Sequence, residues 1–300
     1  MLLRILGTAA GGGLPQWNCA CPGCTGARRE PARRRLHDGL AVHGTDPASW
    51  FLANATPDVA EQLESHPDLR PRADHARTPV VRVVLTDAEL DHVLGLFRLR
   101  EASRIEVWAT VPVRRALLSQ LRLGTVLAPY TPLIWHDLPL IGESGPATIA
   151  GLDVEALPLS AKRPRYAADE PADPAWSVAL RVHDPHGGGT SLYAPALAAW
   201  SDAFAKEAAQ ADCLLLDGTF LAEDEPRRSG ISERSASGMG HLPIEGPLGS
   251  AGRLSGSAPA LSYYTHLNNT NPLTDPGDPG HERLARLGLR VAVERTVISL

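Results

Sequence analysis

The chain has 300 residues, enough for one large domain or two ordinary ones, and with 43% hydrophobic and 21% charged residues it can bury a sizeable core. A formal charge of −5 argues against a nucleic-acid partner, because phosphate binding needs a basic footprint. No apolar run is long enough to cross a bilayer, and the start "MLLRILGTAAGGGLPQW" turns to glycine before a secretory apolar stretch forms, so the chain reads as soluble and cytoplasmic, with no membrane insertion.

"LLRIL" (Leu2–Leu6) reads as a buried first strand, followed by a glycine-rich loop over Gly7–Gly13. No GK[ST] follows the three glycines, so a wide turn where backbone approaches a site is the better reading than a phosphate cradle. "WFLANA" (Trp50–Ala55) is a strand, and "TPDVAEQLESH" is a helix with Thr56 as N-cap, Pro57 at the first position and Asp58 in the first turn. The apolar run Thr78–Asp87 is a buried strand, and a helix is expected over Glu89–Glu101, with Leu94, Leu96, Phe97 and Leu99 for its core face. "IEVWAT" returns as a strand and "PVRRALLSQL" as a helix opened by Pro112. Strand and helix alternating in this way is the rhythm of a layered α/β architecture.

The stretch 142–174 is rich in proline, glycine and charge and reads as surface loops around the strand "LDVEALPLS". "WSVALRVHD" and "TSLYAP" are strands joined by "PHGGG", and "ALAAWSDAFAKEAAQA" (Ala196–Ala211) is helical. "CLLLDGTF" is a buried strand ending at Asp217. Residues 223–256 are loop-rich. "ALSYYTHLNN" is a strand ending at His266. The helix "GHERLARLGL" and the strands "RVAVER" and "TVISL" close the chain. With no long linker and no internal repeat, one domain over residues 1–300 is expected.

Polar residues gather at strand ends: "DAELDH" (Asp87–His92) after one strand, Asp217 after another, His266 after a third. Each alone has an ordinary structural role, satisfying helix amides or capping a turn. Together, imidazole and carboxylate delivered by three strand ends point to a metal site. Three of the four cysteines, Cys19, Cys21 and Cys24, lie within six residues in "WNCACPGCTG". They either make a disulfide plus a spare thiol or hold a metal, and a reducing cytosol favours the metal. Cys213, inside an apolar strand, reads as a core residue.

The blocks "ILGTAAGGGLPQWNCACPGC", "NATPDV", "LTDAELDH" with "GL" soon after, "LYAP", "LLLDGT", "GMGHLPI" and "HLNNTNP" together resemble the pyrroloquinoline quinone (PQQ) biosynthesis protein B family. That resemblance implies a metallo-β-lactamase-like fold, an αββα four-layer sandwich. It implies a role in making PQQ by iron-dependent hydroxylation of the tyrosine of a Glu–Tyr-derived precursor. An alternative is carriage of PQQ or its precursor to the periplasm, and a weaker one is a metal-dependent hydrolase. Relatives in this superfamily carry HxHxDH. Here Asp87 and Glu89 stand at the first two histidine positions while Asp91 and His92 remain, and Trp176 lies near where another histidine is usual. Asp91, His92, His266 and the bridging-type Asp217 are left to hold one active-site metal, which suits iron(II) with open positions. His241 in "GMGHLPI" is implied as a proton carrier or ligand, and Asp91 and His241 are the expected catalytic residues. The resemblance also implies a structural zinc on Cys19, Cys21 and Cys24, whose fourth ligand in relatives is a histidine at the position of Asn269. The partners implied are the small peptide-derived precursor and other PQQ biosynthesis proteins. Donors for the precursor's carboxylates are sought in the "HLNNTN" loop and the amides of Gly11–Gly13, while Tyr263 and Tyr264 read as packing residues.

Overall fold

In "CLLLD" the chain alternates by strict period two: Cys213 and Leu215 face one apolar cluster, Leu214 and Leu216 another. A strand buried on both faces needs cover on both sides, and that requirement sets the layering. The computed structural model describes residues 1–44, 46, 49–71 and 80–300. One seven-stranded sheet contains β1 (Leu2–Gly7), β2 (Gly39–His43), β3 (Trp50–Ala53), β4 (Val80–Val84), β5 (Arg104–Ala109), β6 (Leu133–Asp137) and β14 (Val297–Ser299), ordered β14-β1-β2-β3-β4-β5-β6. The other contains β7 (Ala147–Ile149), β8 (Leu152–Ser160), β9 (Ser177–His183), β10 (Thr190–Ala194), β11 (Cys213–Asp217), β12 (Leu261–Thr265) and β13 (Leu289–Val291), in reverse order β13 to β7.

Leu3, Ile5, Leu40, Phe51 and Val84 of the first sheet pack on Val154, Leu180, Tyr193 and Leu215 of the second, forming the inner core. Outside the first sheet, Leu52, Val83 and Val107 are covered by Leu96, Val113 and Leu117 from helices; outside the second, Leu192, Leu214 and Leu216 are covered by Phe204 and Leu284. This is the four-layer αββα sandwich of a metallo-β-lactamase-like fold. Strands β3 to β6 run parallel, as do β10 to β13. The carboxyl ends of β4, β11 and β12, where loops carry function in α/β sheets, deliver Asp87–His92, Asp217 and His266.

Several elements differ from expectation, each for a local reason. The helix after β3 spans Val59–Glu64 with Asp58 at the N-cap position. Thr56 stays outside it and donates its hydroxyl to Gln62 Oε1 at 2.8 Å. The helix expected over 89–101 is two short ones, Leu90–Val93 and Gly95–Arg98. At the join, Gly95 N donates to Ala55 O at 2.8 Å, and a Cβ on Gly95 would lie 2.2 Å from Thr56 O. Only glycine allows this approach, and it leaves Leu94 37% exposed rather than in the core. Ala196–Trp200 lie outside the helix Asp202–Gln210, which starts where Ser201 Oγ accepts from Phe204 N at 3.1 Å. The helix Pro22–Arg29 and the strands β2 and β6 go unforeseen, and Thr78 and Pro79 of the expected fourth strand lie outside the described residues. Among the described residues no helix is long and apolar enough to cross a membrane.

Candidate metal centre

The turn after β4 is pinned by Asn54, which takes a left-handed φ of 68°. Its Oδ1 accepts from Thr86 N and its Nδ2 donates to Thr86 Oγ1, both at 3.0 Å. Asp87 follows, buried. Its carboxylate accepts from Glu89 N at 2.9 Å and from His92 Nδ1 at 2.8 Å, so it satisfies the next helix and fixes the His92 proton on Nδ1. A parallel device serves the other two histidines. Thr219 donates its hydroxyl to Asp217 Oδ1 at 2.6 Å and accepts from His266 Nδ1 at 2.9 Å. Asp217 Oδ2 accepts from Leu197 N at 2.9 Å and from His241 Nδ1 at 2.8 Å.

Every Nδ1 is thereby spoken for, and each Nε2 is the ring nitrogen left for a further partner. Nε2 of His92 and of His266 are buried with no hydrogen-bond partner. Asp91 Oδ2 lies 3.7 Å from the first and 3.5 Å from the second. An orphaned buried polar atom costs about 1–3 kcal/mol, so two aimed at one carboxylate call for an occupant. The spacing is what two ligands of one ion adopt when each bond is about 2.0–2.2 Å. His266 holds this pose at φ 57°, a left-handed backbone that costs a non-glycine residue about 1–3 kcal/mol. The backbone of Gly11 also closes in on the Asp91 carboxyl, where a Cβ would meet Oδ2 at 3.2 Å.

The electrostatics agree. Burial would push His92 down, but the carboxylates of Asp87 and Asp91 outweigh it and raise its pKa to about 10. Burial likewise works against the Asp91 charge, and His92 and His266 overcome it, holding Asp91 well below the usual carboxylate range. Asp217 is lowered in the same way, burial being outweighed by His241, His266 and Thr219. Carboxylates that favour a proton on His92 also favour a metal cation there.

Asp91, His92 and His266 place ligand atoms within 4.8 Å of one another, and Asp217, His241 and His266 form a second, overlapping group. Both Asp217 oxygens already accept bonds from the protein, which gives it the geometry of a support. His241 stacks against His266 with ring centroids 5.7 Å apart and presents Nε2 as its remaining ring nitrogen. Trp176 is buried in the outer core and donates Nε1 to Pro171 O at 3.0 Å.

Cys19, Cys21 and Cys24 also place their sulfurs within 4.8 Å of one another. The thiols do not ionise alike. Cys21, at the start of the helix Pro22–Arg29, is lowered against its burial by the Cys24 amide and by Asn269, while burial and the neighbouring thiols push Cys24 up to about 12. A divalent cation would let all three sit as thiolates. Asn269 Nδ2 lies 3.2 Å from Cys19 Sγ and 3.3 Å from Cys21 Sγ, and Asn269 O accepts from Cys21 Sγ at 3.2 Å. A half-turn of that amide puts a ligating oxygen where the nitrogen sits. The cluster therefore grips the loop that carries His266, three residues upstream.

Asp91, His92 and His266 line a cleft of about 680 Å³, together with Tyr166, Phe220 and Met239 and with the charged Glu89, Lys162, Arg163, Arg165 and Arg234 at its rim. The expected carboxylate donors fare unevenly. Gly13 N is taken by Ala10 O at 2.8 Å, and Asn271 orders its own loop through Gly218 O and Leu273 N. Gly11, Gly12 and Asn268 do line the cleft. Tyr264 is buried with its hydroxyl on Ser250 Oγ at 2.8 Å. Sequence reasoning missed Asp87 as partner of His92, Thr219 as hub, and the basic rim. The one local signal for the rim is the charge in "AKRPRY".

A beta-lactamase superfamily domain model matches residues 49–267. The chain is 39% identical to the coenzyme PQQ synthesis protein B of Azoarcus sp. and 38% to that of Cupriavidus necator, with 100% and 99% of both chains covered respectively. Among solved structures it is similar to zinc-bound PqqB from Methylobacterium extorquens, at 29% identity and a TM-score of 0.89 over 100% of both chains. A diphosphatase of the PhnP family, at 18% identity and a TM-score of 0.68 over 100% of this chain and 97% of the other, shares the fold.

Proposed function

The chain belongs to the coenzyme PQQ synthesis protein B family within the beta-lactamase superfamily, and from that premise we propose that it acts in PQQ biosynthesis as an iron(II)- and dioxygen-dependent hydroxylase of the tyrosine ring in a Glu–Tyr-derived precursor. The observation that carries this reading is the pair of buried, unpartnered Nε2 atoms of His92 and His266 facing Asp91 Oδ2. Two imidazoles and one carboxylate are the ligand set of non-heme iron sites with positions left open. When bound, iron(II) supplies the activation of dioxygen.

The chain's own residues do the rest. Asp91, His92 and His266 hold the ion. Asp87 and Thr219 keep their partners' Nδ1 atoms protonated and thereby hold each Nε2 as a ligand. Asp217 accepts the Nδ1 proton of His241, so the proton that His241 accepts or gives up toward the cleft is at Nε2. Tyr166 and Phe220 offer an aromatic ring a surface that sheds water. Against a two-metal hydrolase stands Asp87, whose carboxylate is spent on His92 and Glu89 N where such an enzyme has an imidazole free for a second ion. The cysteine cluster we read as a structural zinc site completed by Asn269.

The test is aerobic against anaerobic incubation of iron(II)-loaded protein with a cross-linked Glu–Tyr dipeptide and a two-electron reductant such as ascorbate, which takes the second oxygen atom to water, followed by mass spectrometry. A mass gain of one oxygen atom only in air, absent in His92→Ala, is the expected result. Tight binding of finished PQQ with no turnover under any metal would favour the carrier instead, and cleavage of the peptide would favour the hydrolase.

A further inference from the structure

Away from the metal, a cavity of about 740 Å³ lies between the turn Pro31–Arg33, residues 291–295 and the loop before the helix Gly280–Arg286. None of its lining residues lines the metal cleft. Four guanidinium groups line it, those of Arg33, Arg34, Arg35 and Arg295, against one carboxylate, Glu294. This local excess of positive charge stands in a chain whose formal charge is −5. The protein itself does not relieve it. Arg35 gives only Nη1 to its neighbours, to Thr8 Oγ1 at 2.9 Å and Ala292 O at 3.3 Å, both uncharged. Among the described residues its Nε and Nη2 meet no acceptor. Burial lowers its pKa, and Glu294, too far off to close an ion pair, restores only part of the loss. Glu294 is also committed elsewhere: Oε1 accepts from Leu36 N at 2.7 Å, and burial lifts its pKa to about 7, so at neutral pH it is only a partial counter-charge. Arg33 is tied to Asp275 at 3.0 Å, yet its Nε is buried with no partner. Arg34 spends only Nε, 3.4 Å from Ala27 O, and Arg295 makes no side-chain hydrogen bond or ion pair among the described residues.

A partly desolvated guanidinium without a counter-charge is unfavourable, and its open fork of donors is what a carboxylate fills. Between the cations the lining is apolar: Val291 is buried, Val293 is exposed, and Pro31 and Pro276 lie beside them. A single inorganic ion would leave that apolar surface wet, whereas a cavity of this size matches an organic molecule. The lining carries no group poised for chemistry. The Thr274 hydroxyl donates to Asn271 O at 2.8 Å, and His281 Nε2 lies 3.1 Å from both Leu273 O and Asp275 O. We infer that this cavity is a second ligand site, separate from the metal cleft, for a small organic polyanion. The ligand has an apolar body and two or more carboxylates, one on the open edge of Arg35 and another within reach of Arg34 and Arg295. It is bound there and not transformed.

The experiment is isothermal titration of full-length, zinc-loaded protein with three probes. Benzene-1,3,5-tricarboxylate has an apolar body and carboxylates spaced too widely to chelate one ion; benzoate keeps the body with a single charge; inorganic phosphate keeps the charge without the body. The tricarboxylate binds once per chain, about tenfold or more tighter than either of the others. Arg34→Gln and Arg295→Gln, at surface side chains, each weaken it by about three- to tenfold, and the two together by more. Arg35→Gln also weakens it, with thermal denaturation confirming that this variant is folded; the two surface variants carry the test if it is not. Arg165→Gln, in the metal cleft, leaves the affinity unchanged. Absence of saturable binding at millimolar tricarboxylate, or native affinity in the Arg34→Gln/Arg295→Gln double variant, overturns the inference. A loss confined to Arg165→Gln overturns it too, by placing the probe in the metal cleft. So does phosphate binding as tightly as the tricarboxylate, which would make the cavity an unselective cationic patch.

Discussion

Replacing Asp87 by Asn tests whether this carboxylate is a positioning group or a leftover of a lost second metal site. Asn is nearly isosteric. Its Oδ1 can keep the bonds from Glu89 N and His92 Nδ1, both now 2.9 Å long, but its amide nitrogen replaces the Oδ2 that now accepts from His92 Nδ1 at 2.8 Å and from the Thr86 hydroxyl at 3.0 Å. The Thr86 hydroxyl can turn to accept, so the stability loss is that of one weakened charged hydrogen bond, about 1–3 kcal/mol. It is well short of the 3–5 kcal/mol typical when a buried ion pair loses one member outright. The larger effect falls on the metal. Loss of a group that fixes a ligating imidazole typically lowers affinity by about 10–100-fold, or about 1.4–2.7 kcal/mol. Isothermal titration of metal-free protein with iron(II), without oxygen, reads this directly, with His92→Ala as the limit of ligand loss. Native affinity in Asp87→Asn, with the fold intact, would refute the claim that Asp87 holds His92 for the metal. Affinity as low as in His92→Ala would make Asp87 itself a ligand.

Three further outcomes are expected. Cys21→Ser lowers zinc content and thermal stability together, since one thiolate, its contact with Asn269 and the start of the helix Pro22–Arg29 are lost at once; unchanged zinc by plasma emission would oppose the structural role. His266→Ala abolishes iron binding while zinc remains on the cysteines, which use different side chains; simultaneous loss of both metals would mean the two centres are not independent. Glu225 is fully buried, accepting from Leu221 N at 2.6 Å and Thr270 Oγ1 at 2.8 Å, and burial lifts its pKa from 4.5 to about 7. Because the folded pKa is the higher one, the unfolded state ionises first, and stability falls as pH rises from about 4.5 to about 7, by about 3 kcal/mol in the limit. Urea denaturation should show Glu225→Gln gaining on the native protein by about that much between pH 4.5 and 8; parallel profiles would show that Glu225 ionises as readily folded as unfolded.

Much of the layering was open to reading along the chain, because a strand buried on both faces must be a continuous apolar run whatever its partners. "VVRVV", "CLLLD" and "SVALRVH" are such runs, and β4, β11 and β9 lie on them. The choice of a metallo-β-lactamase-like sandwich over other α/β folds rested on the resemblance, not on periodicity. The grouping of Asp91 and His92 with His266, 174 positions later, came first from their places at strand ends, and the resemblance then assigned them to one metal. Helix starts were read less well, because caps depend on contacts made elsewhere: Thr56 faces Gln62 instead of capping, and Gly95 breaks a helix because Ala55 and Thr56 press against it.

What only the tertiary structure decided is the direction of individual atoms. Asp87 looked like a missing histidine in the sequence; folded, it is the acceptor that turns His92 Nε2 toward Asp91. Asn269 looked like a missing ligand, and its side chain lies on Cys19 and Cys21. Thr219 is an unremarked residue after a strand until it stands between Asp217, His241 and His266. Lys162 and Arg165 sit in a proline-rich loop with no periodicity to read, and they reach the cleft only because β8 and β9 carry that loop to the metal end of the sheets. The physical reason is common to all four. Hydrophobic patterning is a property of neighbours along the chain, whereas which nitrogen of an imidazole is free, or which charge faces a cleft, depends on bonds between particular atoms, from five residues apart for Asp87 and His92 to 250 for Cys19 and Asn269.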